Sequence, residues 1–176
     1  MKKWKLLHRI VKLKSNWVTV YADKLLDDKD QVLEYWHYER PDSVIVIAIQ
    51  EGKFLLPAPQ YRVGVDKVMT DFAGSRIDKD IKPEQAAINV IGKELGFAKQ
   101  DITEIKTITK IPLAVDSSFS TQKLHGFIAK IKKSALPNEN VQSYKQSEVT
   151  KLRSAIHCAQ CKLILDEYIL SANVIM

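Results

Sequence analysis

The segment DFAGSRIDKDIKPEQAAINVIGKELGF, residues 71–97, decides how the rest of this chain is interpreted. Pro83 suits the first turn of a helix, where a backbone N–H has no intrahelical partner and its loss costs nothing. Gly96 stands where a helix usually ends in a left-handed residue, a conformation that glycine adopts without strain. The segment therefore predicts a strand, a loop and then a helix over Pro83–Leu95.

The same segment resembles a Nudix box in which most of the acidic residues have been replaced. The box of that superfamily ends in the pattern REUxEExGU, where U is a bulky apolar residue. When the pattern is aligned on Gly96-Phe97, its arginine falls on Asn89 and its three acids fall on Val90, Lys93 and Glu94. Glu94 is therefore the one acid of the three that this chain retains.

Flanking segments resemble the ADP-ribose pyrophosphatase-like branch of the Nudix superfamily. Gln60-Tyr61-Arg62 resembles the QYR that ends one strand of that branch, and Asp71-Phe72-Ala73-Gly74 stands where the branch has ELPAG. His125–Ala129 resembles a later strand, and Gln122 takes the place of an acid before it. The resemblance implies an α/β (α+β) fold, the Nudix-type α/β/α sandwich with a mixed central sheet and an N-terminal β segment.

The resemblance also implies a chemistry. Nudix enzymes hydrolyse a nucleoside diphosphate linked to another group, and Mg²⁺ neutralises the pyrophosphate and activates water. Mg²⁺ prefers oxygen ligands and is usually held by a few carboxylates together with water and phosphates. By the resemblance, Glu94 is the catalytic acid, and Glu94 and Ala73 are the metal contacts. Because Lys93 places a positive charge beside Glu94, we expect Mg²⁺ binding to be weak or absent and hydrolysis to be slow or lost.

Four residues are candidates for contacts to the substrate. A guanidinium offers a planar fork to phosphate and stacks on adenine, and the resemblance places Arg62 near the substrate cleft. The ammonium of Lys93 stands where it would touch the diphosphate directly. Each residue also fits a structural role, a salt bridge to an acid of the box region for Arg62 and an exposed surface lysine for Lys93. The candidates are Arg40, Arg62, Lys93 and Gly74.

Three functions remain open on these residues. The first is a hydrolase of the ADP-ribose or nucleotide-sugar class that is weak or uses unusual ligands. The second is a Nudix-fold module that binds such a nucleotide without cutting it, and the third is a derivative that binds nucleic acid or a protein. The aromatic run Tyr35–Tyr38 fits an adenosine pocket, or a strand with alternating core and surface rings. Glu139 and Glu148 align only loosely with a late catalytic acid of the family.

Composition predicts one globular domain. The chain has 176 residues, of which 45% are hydrophobic and 27% charged, as is typical of folded domains. We expect a single Nudix-like domain over 1–176, with residues 1–40 as the N-terminal β segment and 41–176 as the core. Apolar runs are too short to span a membrane, and the N-terminus lacks a secretory signal, so a cytoplasmic protein is expected. The net charge of +6 comes from scattered lysines, which indicates solvated faces rather than a nucleic-acid site.

The N-terminal strands predict a homodimer. Trp17, Tyr35 and Trp36 fall on strands that would be partly unpaired in a monomer, and exposed apolar edges of this kind usually find a partner. The resemblance agrees, because in the ADP-ribose branch this region contributes to a dimer contact.

Cys158 and Cys161 form the motif CAQC. Structural zinc takes four ligands, and only His157 lies nearby in the sequence. We therefore expect two core thiols, spaced i and i+3 on one helix over about residues 155–170.

Overall fold

The computed structural model describes residues 2–171, so the predicted domain limits at Met1 and Met176 lie outside the described residues. The chain divides into two compact units. The first comprises residues 1–42 and 114–123, and the second comprises residues 43–113 and 124–176. In the part of the chain that is described, no helix is both long enough and apolar enough to cross a membrane.

The elements follow one another in a β-rich order that ends in helices. In chain order they are β1 (Lys5–Lys14), β2 (Thr19–Leu26), β3 (Val32–Glu39), β4 (Ser43–Gln50), β5 (Lys53–Leu56), β6 (Gln60–Arg62), β7 (Lys67–Met69), β8 (Ala73–Arg76), α1 (Pro83–Leu95), β9 (Ile102–Thr107), β10 (Leu113–Ala114), β11 (Lys123–Ile131), β12 (Gln142–Lys145), α2 (Val149–Ala155) and α3 (Ala159–Ser171).

The first unit is built on an antiparallel sheet in the order β1-β2-β3. A partly buried polar network, centred on the buried Asp23, crosses all three strands. Its carboxylate accepts hydrogen bonds from Arg9 at 2.7 and 3.0 Å and contacts the His37 ring nitrogen at 2.9 Å. Arg9 also lies over the Tyr21 ring, 3.8 Å from its centroid. The hydrogen bond from Arg9 is the main reason why the pKa of Asp23 falls to about 2.

The second unit is organised around β4. This strand pairs in parallel with β11 and antiparallel with β5 and β8, so the sheet is mixed. Strand β9 extends the sheet beyond β11, and β12 extends it beyond β5. Strands β6 and β7 form a separate antiparallel pair. The uninterrupted β-branched composition of β4 fits this central place, because a strand covered on both faces needs apolar residues throughout.

Helices cover both faces of that sheet. Val44, Val46 and Ala48 of β4 share one buried cluster with the apolar side of α1, which includes Ala87 and Ile91. Since side chains alternate along a strand, the intervening residues face the other side, where α3 contacts β4. The second unit is therefore a layered structure of helix, mixed sheet and helix.

The predicted bounds of the α1 helix are confirmed. Pro83 occupies its first turn, and Gly96 ends it with a left-handed backbone at φ 85°. The Gly96 N–H donates to the carbonyl of Gly92 at 3.2 Å, which satisfies one of the carbonyl groups left open at the helix end. The predicted order of strand, loop and helix across residues 71–97 is likewise confirmed by β8 and α1.

Candidate functional site

The end of α1 is joined to β8 through Gly74 and Glu94. A side-chain carbon at position 74 would lie 3.0 Å from the Val44 carbonyl oxygen, so glycine permits the close pairing of β8 with β4. The Gly74 N–H donates to Glu94 Oε2 at 3.2 Å. Gly74, Lys93 and Glu94 are called the box end below.

Glu94 is half-buried, and the groups around it shift the pKa of its carboxyl group in opposite directions. Desolvation by burial is the largest influence and raises the pKa of its carboxyl group. The Gly74 N–H and the positive charges of Arg62 and Lys93 oppose that rise, whereas the negative charge of Asp71 adds to it. The carboxyl group therefore holds its proton more tightly than a glutamate in water does.

The other box positions do not add ligands. Val90 is 2% exposed and packs in the core between α1 and the sheet. Asn89 is exposed and accepts a hydrogen bond from Gln85 at 2.9 Å. Lys93 is exposed, and within residues 2–171 it forms no ion pair. Of the three positions that carry acids in the Nudix box, Val90 thus offers no ligand, Lys93 offers an ammonium group and Glu94 offers a carboxylate.

These residues do not fit a magnesium cage. Among residues 2–171, Glu94 belongs to no group of three His, Cys, Asp or Glu side chains close enough to share an ion. Ala73, the other expected metal contact, is fully buried in the pairing of β8 with β4 and has only main-chain atoms to offer. Mg²⁺ prefers several oxygen ligands in octahedral geometry, and the box end supplies one half-buried carboxylate.

Arg62 and Asp71 form a salt bridge beside the box end. Both Arg62 Nε, at 2.9 Å, and Nη2, at 2.8 Å, contact the same oxygen, Asp71 Oδ2. The Asp71 side chain is 9% exposed and that of Arg62 is 43% exposed. Asp71 Oδ1 is buried and has no hydrogen-bond partner among the described residues. Arg62 therefore has the structural contact that its sequence position also suggested, and it keeps part of its guanidinium exposed.

The two cysteines are far from Asp71 in the sequence, but in the folded chain their sulfur atoms lie close to its carboxylate. The prediction of one helix carrying both thiols is wrong, because α2 ends at Ala155, Ile156 is extended, and α3 begins at Ala159. Cys158 therefore precedes α3 and is half-buried, whereas Cys161 in its first turn is 3% exposed. The expectation of a core thiol is confirmed for Cys161 only.

The two thiols have opposite acidities. The hydrogen bond from the Cys161 thiol, with help from the backbone N–H groups of Gln160 and Cys161, lowers the pKa of Cys158 to about 6. That same hydrogen bond and burial raise the pKa of Cys161 well above its ordinary value. Asp71 was absent from the candidates inferred from sequence. No local pattern indicates its contact with these thiols, since only the folded chain brings them together.

The remaining candidates lie elsewhere. Arg40 belongs to the first unit, follows β3, and forms no ion pair within residues 2–171. The aromatic run Tyr35–Tyr38 is part of β3, where the His37 ring stacks on Tyr21 with centroids 5.1 Å apart. Glu148 accepts a hydrogen bond from the Lys145 N–H at 3.1 Å and so stabilises the turn before α2.

Comparison with known proteins supports the fold. No family model matches this sequence, and no curated protein matches it. The chain is similar to the crystal structure of an ADP compounds hydrolase, with a TM-score of 0.77 and 15% sequence identity. The match covers 99% of this chain and 98% of that chain. That protein has a Nudix fold, and the expected Nudix-type fold with a mixed sheet is therefore confirmed. At this level of identity the likeness establishes the fold alone.

Proposed function

We propose that this chain is a Nudix-fold protein that binds a nucleoside diphosphate linked to another group, of the ADP-ribose or nucleotide-sugar class. We further propose that its Mg²⁺-dependent hydrolysis is weak or lost. The observation that carries both statements is the box end, where a single carboxylate, Glu94, stands next to the ammonium of Lys93. The similarity to an ADP compounds hydrolase supports the choice of ligand class.

Phosphate contacts are assigned to Lys93 and Arg62. Lys93 is exposed in the last turn of α1 and forms no ion pair within the described residues. Arg62 uses Nε and Nη2 for Asp71, which leaves Nη1 for an anion. Both cations lie close enough to Glu94 to influence its pKa. At this position the two side-chain cations would neutralise the diphosphate, which is the role that a divalent cation has in a hydrolase. The main chain at Gly74 remains a further candidate for contact at this position. Arg40, in the first unit, stays a separate prediction.

Binding without metal is the test of this proposal. ADP-ribose and a nucleotide sugar are titrated into the protein by calorimetry, first with EDTA and then with Mg²⁺, and cleavage is followed by ³¹P NMR. We expect binding that survives EDTA and cleavage that is slow or absent. Lys93→Ala should weaken binding roughly tenfold, as the loss of one charged contact does, whereas the matched control Lys110→Ala should not.

Two results would count against the proposal. Failure of every nucleotide to bind would remove the ligand class. Rapid cleavage with Mg²⁺ that is unchanged in Glu94→Gln would show that the reacting centre lies away from the box end.

We also propose a homodimer formed through the first unit. Seven large apolar side chains of this unit are 44–67% exposed: Leu6, Leu7, Ile10, Leu13, Trp17, Val32 and Trp36. Strand β1 is an edge of its sheet, and edges with such side chains favour association. Light scattering at micromolar concentration should give a dimer mass, and Leu13→Glu should shift it to a monomer. The control Leu136→Glu, at a site 85% exposed in the second unit, should not. A monomer mass for the unmodified chain would exclude the dimer.

A further inference from the structure

Three side chains from distant parts of the second unit meet at one point. One carboxylate oxygen of Asp71 and the sulfur atoms of Cys158 and Cys161 all lie within 4.8 Å of one another. These residues are called the cysteine cluster below. Ligands of a tetrahedral zinc ion, bonded at roughly 2.0–2.3 Å, lie roughly 3.3–3.8 Å apart. The cluster therefore needs only a small contraction to surround such an ion.

The backbone holds these three residues in place. An isolated β-bridge pairs Thr70 with Ile156, so the chain before Asp71 runs beside the chain before Cys158. The Phe72 N–H donates to Cys161, and the backbone N–H groups of Gln160 and Cys161 donate to Cys158. Hydrogen bonds of this kind orient ligand atoms before an ion arrives.

Asp71 supplies the observation that indicates a ligand. Its side chain is 9% exposed, and Oδ1 is buried without a hydrogen-bond partner among the described residues. A buried carboxylate oxygen is normally satisfied, because leaving it unpaired costs free energy. Arg62 engages the other oxygen, Oδ2, so one lone-pair-bearing oxygen of the cluster remains open to a cation.

The charges also balance for a divalent ion. Two thiolates and one carboxylate carry three negative charges, and a divalent cation leaves a net charge of one. The guanidinium of Arg62 cancels that charge while it orients the carboxylate, as outer partners of metal ligands commonly do. Thiolates select zinc-like cations and are poor ligands for Mg²⁺. The half-buried position of Cys158 leaves room for solvent at a fourth position.

We propose that Asp71, Cys158 and Cys161 form a binding site for a thiophilic divalent cation of the zinc class, with water as the fourth ligand. The proposal does not rest on the nucleotide function proposed above, although both sites use Arg62. The third protein ligand is Asp71, in the segment between β7 and β8, whereas the sequence drew attention only to His157.

Cobalt reports directly on such a site. The full-length protein is kept reduced with a phosphine, stripped of metal with a chelator, and titrated with Co²⁺ and then Zn²⁺. We expect one Co²⁺ per chain, with a thiolate-to-cobalt charge-transfer band and the intense visible bands of tetrahedral cobalt. One equivalent of Zn²⁺ should abolish both. Cys158→Ser and Cys161→Ser should each weaken the charge-transfer band, and the double variant should lose it.

A matched pair of acid variants separates ligation from general charge. Asp71→Asn should lower the affinity by at least about tenfold, whereas Asp166→Asn, which breaks an ion pair with Arg153, should leave it unchanged. Circular dichroism of the metal-free proteins identifies any variant that fails to fold. If a variant fails to fold, the test is made on the unmodified protein. Zn²⁺ should then slow the alkylation of both cysteines by iodoacetamide, as measured by mass spectrometry.

The proposal fails on any of three results. These are no cobalt band in the folded and reduced chain, a band that survives in the double cysteine variant, or alkylation of both thiols at the same rate with and without Zn²⁺.

Discussion

The box end and the cysteine cluster both lie close enough to the Arg62–Asp71 salt bridge to feel its charges, and they differ in what they offer a cation. A recognisable motif marks the box end, but it contains one carboxylate and one ammonium. No recognisable motif marks the cysteine cluster as a metal site, but it contains two sulfurs and a carboxylate, and one oxygen of that carboxylate has no hydrogen-bond partner among the described residues. The difference shows that the position of a motif and the supply of ligand atoms are separate properties of a fold.

Arg62 connects the two regions. Its guanidinium is paired with Asp71 of the cysteine cluster, and its charge also influences the carboxyl group of Glu94. An anion at the box end and a cation at the cysteine cluster would therefore both act on the same arginine. Substitutions that change one region and leave the other intact are the way to separate their roles.

The largest effect is expected from Arg62→Met. Without the guanidinium, Asp71 becomes a buried carboxylate with no partner, and removing one member of a buried pair is strongly destabilising. We expect the metal-free protein to lose about 2 kcal/mol in the free energy of unfolding. This loss is smaller than is usual for a fully buried pair, because the arginine is partly exposed. Urea denaturation followed by circular dichroism measures this loss.

Zinc and a matched variant give that experiment its control. Arg153→Met breaks the exposed pair with Asp166, whose side chains are 44% and 34% exposed, and should cost less than about 1 kcal/mol. Added Zn²⁺ should restore part of the stability of Arg62→Met, because the ion gives Asp71 a new partner. Equal losses for the two variants would show that Asp71 does not need its arginine.

Lys93→Glu should have the next largest effect, and it acts on the box end alone. The change removes a repelling charge and adds a second carboxylate beside Glu94. We expect Mg²⁺ to bind on the order of tenfold more tightly, a moderate gain because the position is exposed and screened by salt. Calorimetric titration with Mg²⁺ measures it. The affinity of the cysteine cluster for Co²⁺ should stay the same.

Lys110→Glu is the control for net charge. It makes the same change in an exposed residue outside α1, and it should not alter Mg²⁺ binding. Restoring an acid at Val90 is a poorer test, because that side chain is buried in the core and a carboxylate there would be buried as well. If Lys93→Glu and Lys110→Glu behave alike, Lys93 is not near the position where a cation binds.

Local signals in the sequence were enough to predict the α1 helix and the strand before it. Proline and glycine act within a few residues, so Pro83 and Gly96 fixed both ends of α1. Residues 102–111 are rich in β-branched side chains, which favour a strand, yet β9 ends at Thr107. The residues between Thr107 and Pro112 are also suited to a strand, but proline lacks the backbone N–H that would pair with a neighbouring strand.

The contacts of the site could not be predicted in the same way. The sequence identified Arg62, Gly74 and Glu94 because a family resemblance places them, and the structure does bring these three into one neighbourhood. Asp71 and the cysteines lie on distant segments that the bridge between Thr70 and Ile156 brings together. A pairing of distant segments leaves no periodic pattern in either of them, so the cysteine cluster emerges only from the folded chain.

The smallest effect is expected at Glu94, and its sign follows from the raised pKa of that carboxyl group. A group that binds its proton more tightly in the folded chain adds stability below its unfolded pKa. That contribution is lost as the pH rises from the unfolded pKa through the higher folded pKa. Above that range the charged form is held at a cost of desolvation, which the Gly74 N–H offsets only in part.

Glu94→Gln removes this charge while keeping an oxygen that can accept the hydrogen bond from Gly74. At neutral pH we therefore expect the variant to be more stable than the unmodified protein, by a few tenths of a kcal/mol, as is usual for single changes outside the core. Toward acidic pH the difference should shrink, because the unmodified carboxyl group becomes protonated and neutral like the amide. Urea denaturation of both proteins across the acid range measures the difference. A variant that is less stable at neutral pH would mean that the charged carboxylate is held by favourable contacts, and the box end would then be better prepared for a cation than its composition indicates.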